Sequence, residues 1–224
     1  MRAMTSWKTQ ERIDAGGVLL DGDLALPEHP SGLIIFAHGS GSSRHSPRNQ
    51  IVATELHEYG LATLLTDLLT TEEEVADART GHLRFDIGLL ADRVIAVIDW
   101  ARDNPPTAAL PIGLFGASTG GGAALVAAAA RPQAVRAVVS RGGRPDLAGP
   151  ALLEVRSPTM FLVGERDTEV LDLNEQARNT MRISAELRVI AGATHLFSEP
   201  GALDQVAEEA AGFFQMHLTP AVAR

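Results

Sequence analysis

The chain has 224 residues, enough for one domain with a substantial core and short for two. Apolar residues make up 45% and charged residues 21%, a balance that excludes a disordered chain. A net charge of −9 argues against a nucleic-acid surface, and the absence of cysteine excludes disulfides, thiolate nucleophiles and Cys-based metal sites. No long apolar stretch follows Met1, so neither a secretory signal nor a membrane anchor is expected, and a cytoplasmic protein fits the composition.

Short apolar runs alternate with longer helical segments, without repeats or low-complexity linkers. This alternation predicts a single α/β domain over residues 1–224, core about 17–218, with helices on both faces of a mostly parallel sheet. Val18 to Leu26 alternates apolar and polar residues and reads as an outer, antiparallel strand. Leu33 to Ala37 (LIIFA) is continuous and apolar, as in a strand covered on both faces. Ser46 to Tyr59 carries Ile51, Val52, Leu56 and Tyr59 at helical spacing and stops at Gly60. Leu61 to Leu65 is the next strand. Thr71 to Thr80 is acidic, a solvated loop or short helix. Leu83 to Arg102 is the longest helical pattern. Strands follow at Pro111 to Phe115, Val135 to Val139, Thr159 to Val163 and Leu187 to Ile190. Helices are predicted at Ser118 to Ala130, Thr168 to Met181 and Ala202 to His217.

Gly116-Ala117-Ser118-Thr119-Gly120 is a G-x-S-x-G segment between a buried strand and an Ala-rich helix. A nucleophilic serine needs a tight strand-to-helix turn that lifts its hydroxyl off the sheet, and small residues on either side permit it. The segment lacks the Gly-Lys-Ser/Thr of a phosphate loop, and Gly113, Gly116 and Gly120 miss the spacing of a dinucleotide fingerprint. Acyl transfer also needs two N–H donors for the developing oxyanion. The backbone N–H of Thr119 and that of Ser40, in the loop His38-Gly39-Ser40-Gly41 after LIIFA, are the candidates. His38 itself reads as a structural residue holding that loop.

The partners of such a serine follow it in the order acid, then base. Of seven histidines only His195 and His217 lie beyond Ser118. His217 ends the last helix, where a surface histidine is the simpler reading. His195 follows the last strand, at the carboxyl edge of the sheet, and is the candidate base. Asp167, just past Met160 to Gly164, is the candidate acid, with Asp146, Glu165 and Asp172 as rivals.

These segments together resemble the α/β-hydrolase superfamily, and within it the dienelactone-hydrolase-like proteins, over roughly Gly32 to His217. Dienelactone hydrolase itself uses a cysteine nucleophile, which this chain lacks. The resemblance therefore implies the fold and hydrolytic chemistry rather than that substrate: attack by Ser118, an acyl-enzyme, and hydrolysis by a water activated by His195, with no metal or organic cofactor. The expected partner is a small ester or other acyl substrate, neither nucleic acid nor membrane; oligomeric state is not readable. Thioester hydrolysis or acyl transfer by the same residues is the nearest alternative, and a non-catalytic binding protein the more distant one.

Residues 141–158 alone separate two predicted strands where many relatives insert a lid, so an open site is expected. Arg44 and Arg48 follow the oxyanion loop, and Arg141 and Arg144 follow Ser140. Arg44 and Arg141 are the candidates for steering an anionic acyl substrate. The competing expectation is solvated arginine, or ion pairs with Asp146 or the Glu72 to Glu74 run.

Overall fold

The computed structural model describes residues 7–218. Among these residues eight strands form one sheet: β1 (Trp7–Asp14), β2 (Leu19–Leu26), β3 (Leu33–Ala37), β4 (Ala62–Thr66), β5 (Ile112–Ala117), β6 (Val135–Arg141), β7 (Thr159–Gly164) and β8 (Glu186–Ile190). Their order across the sheet is β1-β2-β4-β3-β5-β6-β7-β8. β1 and β2 run antiparallel to their neighbours, and the other pairings are parallel. β2 was expected at the rim; β1 lies outside it. The segment Trp7–Asp14 hides its period behind charge, as edge strands do, and only Ile13 among its core contacts is fully buried. The core therefore begins before the expected residue 17.

Among the described residues six helices follow the strands: α1 (Pro47–Glu58), α2 (Thr71–Thr80), α3 (Ile87–Asp103), α4 (Thr119–Ala130), α5 (Thr168–Thr180) and α6 (Ala202–Leu218). The largely apolar runs β3, β4, β5 and β7 are buried along their whole length because helices cover both faces. On one face, α1 and α6 pack on Ile34, Phe36, Leu65, Phe115 and Val139. Phe36 and Phe115 meet there with ring centroids 4.9 Å apart. On the other, α3, α4 and α5 pack on Ile35, Leu64, Leu114, Val138 and Phe161. Among the described residues no helix is long and apolar enough to cross a membrane.

Helix boundaries follow local chemistry. Ser46 caps α1, accepting the Asn49 N–H at 3.4 Å, with Pro47 at the first helical position. The buried face of α1 is Asn49, Val52, Ala53 and Leu56, so Ile51 points outward, 48% exposed, contrary to the simple apolar reading. α2 is a helix, started by a capping box between Thr70 and Glu73. The predicted Leu83 to Arg102 helix is divided: Leu83–Phe85 is a 3₁₀ turn, and Asp86 caps α3 by accepting the Leu89 N–H at 3.0 Å. Between β6 and β7 runs a 3₁₀ segment, Pro145–Leu153, bent at Gly149, in place of a lid domain.

Candidate active site

Ser118 sits between β5 and α4 with φ 50° and ψ −122°, a backbone conformation that costs energy for any residue with a Cβ. It is over-determined by its surroundings. The Ser118 N–H donates to Arg141 O at 3.2 Å, and Ser118 O accepts from Gly121 N–H and Arg144 N–H at 2.9 and 3.0 Å. The flanking glycines are demanded by close approach. A Cβ on Gly116 would lie 2.6 Å from Gly120 O, and one on Gly120 would lie 2.2 Å from Ala37 O. The turn and the end of β3 are thus pressed together, which brings the loop His38-Gly39-Ser40-Gly41 to the serine.

His38 holds that loop as expected of a structural residue. Its Nε2 accepts the Leu68 N–H at 3.0 Å, which leaves Nδ1 to donate to Gly39 O at 2.9 Å. Burial pushes the His38 imidazole below its ordinary range, against the opposing pulls of the Gly39 carbonyl and Asp67. Gly39 packs against Ser118: a Cβ there would lie 3.0 Å from Ser118 Cβ. Ser40 lines the cavity that contains Ser118. Thr119 is buried as the first residue of α4, where helix geometry leaves backbone N–H groups without intrahelical partners.

His195 and Asp167 come from different loops that the sheet edge brings together. His195 Nδ1 lies 2.6 Å from Asp167 Oδ2, and the carboxylate is well shielded. The loops are stitched by backbone bonds from Glu165 N–H to Ile190 O and from Arg166 N–H to Ala193 O, at 3.0 and 2.9 Å. Gly164 is required at their crossing, because a Cβ would lie 2.5 Å from Ala193 O. Glu199 binds Thr194 through both its N–H and its hydroxyl, at 3.1 and 2.7 Å, and so steadies the turn before His195. The rival acids are engaged elsewhere. Asp146 takes both ends of the Arg144 guanidinium at 2.8 Å, Glu165 accepts the Gly192 N–H at 2.7 Å, and Asp172 is exposed. His217 packs edge-on to Phe213 and lines a cavity with Thr159 and Glu186, at the amino ends of β7 and β8. Ser118 and His195 line one cavity of about 230 Å³. Among the described residues no hydrogen bond joins the Ser118 hydroxyl to the imidazole in the free protein, a bond that catalytic pairs often tighten only with substrate.

The arginines divide. Arg44 does not face this cavity: its guanidinium is bound to Asp67 and lies 3.6 Å from Asp23, and its N–H donates to Asp67 at 2.7 Å. It is a structural ion pair, contrary to the substrate-binding expectation, because two aspartates from β2 and the end of β4 surround it. Arg144 is consumed by Asp146. Arg141 does line the cavity, together with Arg48 and with Asn49, and sequence reading did not single out Asn49. A second, larger cavity of about 570 Å³ adjoins it, sharing Gly39, Ser40, Ser42, Ser46 and Arg48.

A mostly parallel sheet with a strained serine elbow at its carboxyl edge is the architecture of the α/β-hydrolases. The model of the dienelactone hydrolase family matches residues 20–217, and the chain belongs to that family. A dienelactone hydrolase from Anabaena variabilis is 54% identical, with a TM-score of 0.93 over 95% of this chain and 98% of that one. Est1E from Butyrivibrio proteoclasticus shares the fold, with a TM-score of 0.78 at 18% identity over 93% of this chain and 98% of that one. Proteins of two Mycobacterium tuberculosis strains, provisionally named phosphoribosyl transferases, are 56% identical over 207 residues, 92% of this chain. The chain spans about half of those relatives, 46% of their length.

Proposed function

We propose that this chain is a serine hydrolase that cleaves a carboxyl ester, or a related acyl bond, of a small and accessible substrate through an acyl-enzyme. The observation that carries the reading is the strained Ser118 elbow sharing a cavity with His195, whose Nδ1 is turned to Asp167 at 2.6 Å. With Nδ1 engaged, Nε2 is the nitrogen left for Ser118. In this mechanism Ser118 Oγ attacks the acyl carbon and its proton passes to Nε2. The backbone N–H groups of Thr119 and Ser40 bind the resulting oxyanion, each such donor being worth about 3 kcal/mol in the transition state. The imidazolium returns the proton to the leaving oxygen. Water then attacks the acyl-enzyme with His195 again as base, releasing the acid and restoring Ser118. Asp167 keeps the ring in its reactive tautomer and stabilises its charged form.

The name phosphoribosyl transferase attaches to proteins about twice the length of the matched segment, and acyl chemistry at Ser118 needs no ribosyl group. A fluorophosphonate probe and short p-nitrophenyl esters test the reading. Labelling and turnover are expected in the wild type and absent in Ser118→Ala and His195→Ala. A well-folded wild-type protein that neither labels nor turns over esters would refute it.

A further inference from the structure

β8 is an open edge. It pairs with β7 alone, and among the described residues no strand lies on its other side. Glu165 N–H donates to Ile190 O, so the backbone carbonyl of Ile190 faces β7. Backbone groups alternate in direction along a strand. Those of Arg188 and Glu186 therefore also turn inward. Those of Leu187 and Val189, and of Ala185 just before the strand, turn outward and form a ladder ready for another strand.

Protected edges carry charge along their length. β1, at the far end of the sheet, has Lys8, Glu11, Arg12 and Asp14. β8 (ELRVI) has a single acid and a single base, and they answer each other: Arg188 Nη2 lies 2.9 Å from Glu186 Oε2. Ile190 is buried in the core beneath α6, which places Glu186 and Arg188 on the α6 face of the strand. Leu187 packs on the core of the other face, and Val189 beside it is 45% exposed. On the α6 face, Arg188 lies 3.8 Å from Glu209, and Phe213 and His217 share a cavity with Glu186. Helical spacing puts Met216 on the same stripe of α6, where it is 72% exposed. Open backbone, Val189 and Met216 thus adjoin along one side of the molecule.

We propose that this side is an interface with a second copy of the chain, in which β8 pairs antiparallel with the partner's β8 about a two-fold axis at Leu187. The residues choose the register. Leu187 faces the partner's Leu187, and Val189 faces the partner's Ala185, each pair exchanging its outward N–H and C=O groups. Glu186 then lies directly opposite the partner's Arg188, and Arg188 opposite the partner's Glu186, on the α6 face. Together with the pair inside each chain, the charges alternate around a square. Moving the axis by one residue would set Glu186 against the partner's Glu186, or Arg188 against the partner's Arg188. The patch is therefore self-complementary, as a closed two-fold contact requires. It covers Val189 and places Met216 at the seam between the two α6 helices.

Sedimentation velocity over a concentration series tests this, with circular dichroism and the thermal midpoint confirming the fold of each variant. The wild type is expected to be a reversible dimer. Val189→Pro removes an outward N–H and leaves the β7 ladder intact, so a folded monomer is expected. Arg188→Glu sets acid opposite acid on both sides of the axis and should raise the dissociation constant about tenfold or more. The double exchange Glu186→Arg with Arg188→Glu restores the alternation and should recover the dimer. A wild type that is monomeric at every concentration overturns the proposal and leaves the edge to a different partner. A dimer that persists in Val189→Pro overturns it too, as does one that Arg188→Glu weakens and the double exchange does not rescue. None of these outcomes depends on ester turnover.

Discussion

Replacing Gly164 by alanine tests whether the crossing of two loops governs the catalytic geometry. The added Cβ would sit 2.5 Å from Ala193 O and 2.8 Å from both Ala193 C and Thr194 O, all of them backbone atoms that no rotamer change can move. Ordinary contact needs roughly 3.5 Å, so the β8–α6 loop must retreat by about 1 Å from the end of β7. Asp167 is tied to β7 through its N–H to Gly164 O at 3.0 Å, while His195 rides on the retreating loop. The 2.6 Å bond between them is therefore stretched or turned. A misplacement of about 1 Å in a catalytic group costs about 100-fold in rate, and overpacking of this kind costs about 1–3 kcal/mol of stability. The expected result is a fall of about two orders of magnitude in kcat on p-nitrophenyl acetate, with slower fluorophosphonate labelling. The thermal midpoint should drop by about 2–4 °C for each kcal/mol lost. Gly212→Ala in α6 is the control, since its Cβ meets nothing within 4 Å and a helical alanine should stabilise the protein by about 0.5–1 kcal/mol. A Gly164→Ala protein with wild-type kcat and midpoint would refute the argument.

Other outcomes follow from the same geometry. Asp167→Asn should lower kcat by about 10³–10⁴-fold with little change in KM, measured on neutral esters, because the ring loses its preferred tautomer. Arg44→Ala should lower stability by about 1–3 kcal/mol, read by urea titration, because Asp67 loses its partner, while leaving kcat/KM on p-nitrophenyl acetate within about twofold. Stability should fall as acid is added below about pH 6.5. His38 and His57 are both pushed below the ordinary histidine range by burial, His57 to about 4 with Lys8 adding to the shift. The unfolded chain then takes up protons that the folded one refuses, so the neutral-pH stability is complete above pH 6.5 and is lost progressively toward pH 4. Midpoints measured from pH 8 to pH 4 check this; His57→Gln should flatten part of the slope.

The strands were the most legible part of the fold. LIIFA, IGLFGA and TMFLVG can be buried on both faces only in a covered parallel sheet, so composition alone marks them. β1 was not legible, because an edge strand needs charge on its open face and loses the apolar signal. The break at Asp86 was also hidden, since a capping aspartate and a helical aspartate look alike until the Leu89 N–H is seen to donate to it. Within the site, Ser118 was marked by its glycines, and His195 and Asp167 by chain order and strand ends.

What the sequence determined by itself is a set of local features: a serine between two obligate glycines, and an acid and a histidine at successive strand ends. These are local demands, set by backbone sterics and by the order in which a parallel sheet delivers its loops. Only the tertiary structure decided how the arginines are spent. Arg44 and Arg48 are four residues apart and indistinguishable by type. Arg44 folds back onto Asp67 and Asp23, whereas Arg48 and Arg141, 93 positions apart in the chain, converge on the Ser118 cavity and meet no carboxylate among the described residues. Charge balance is a property of neighbours in space, and the sheet, through the pairing of Ala117 with Arg141, chooses those neighbours.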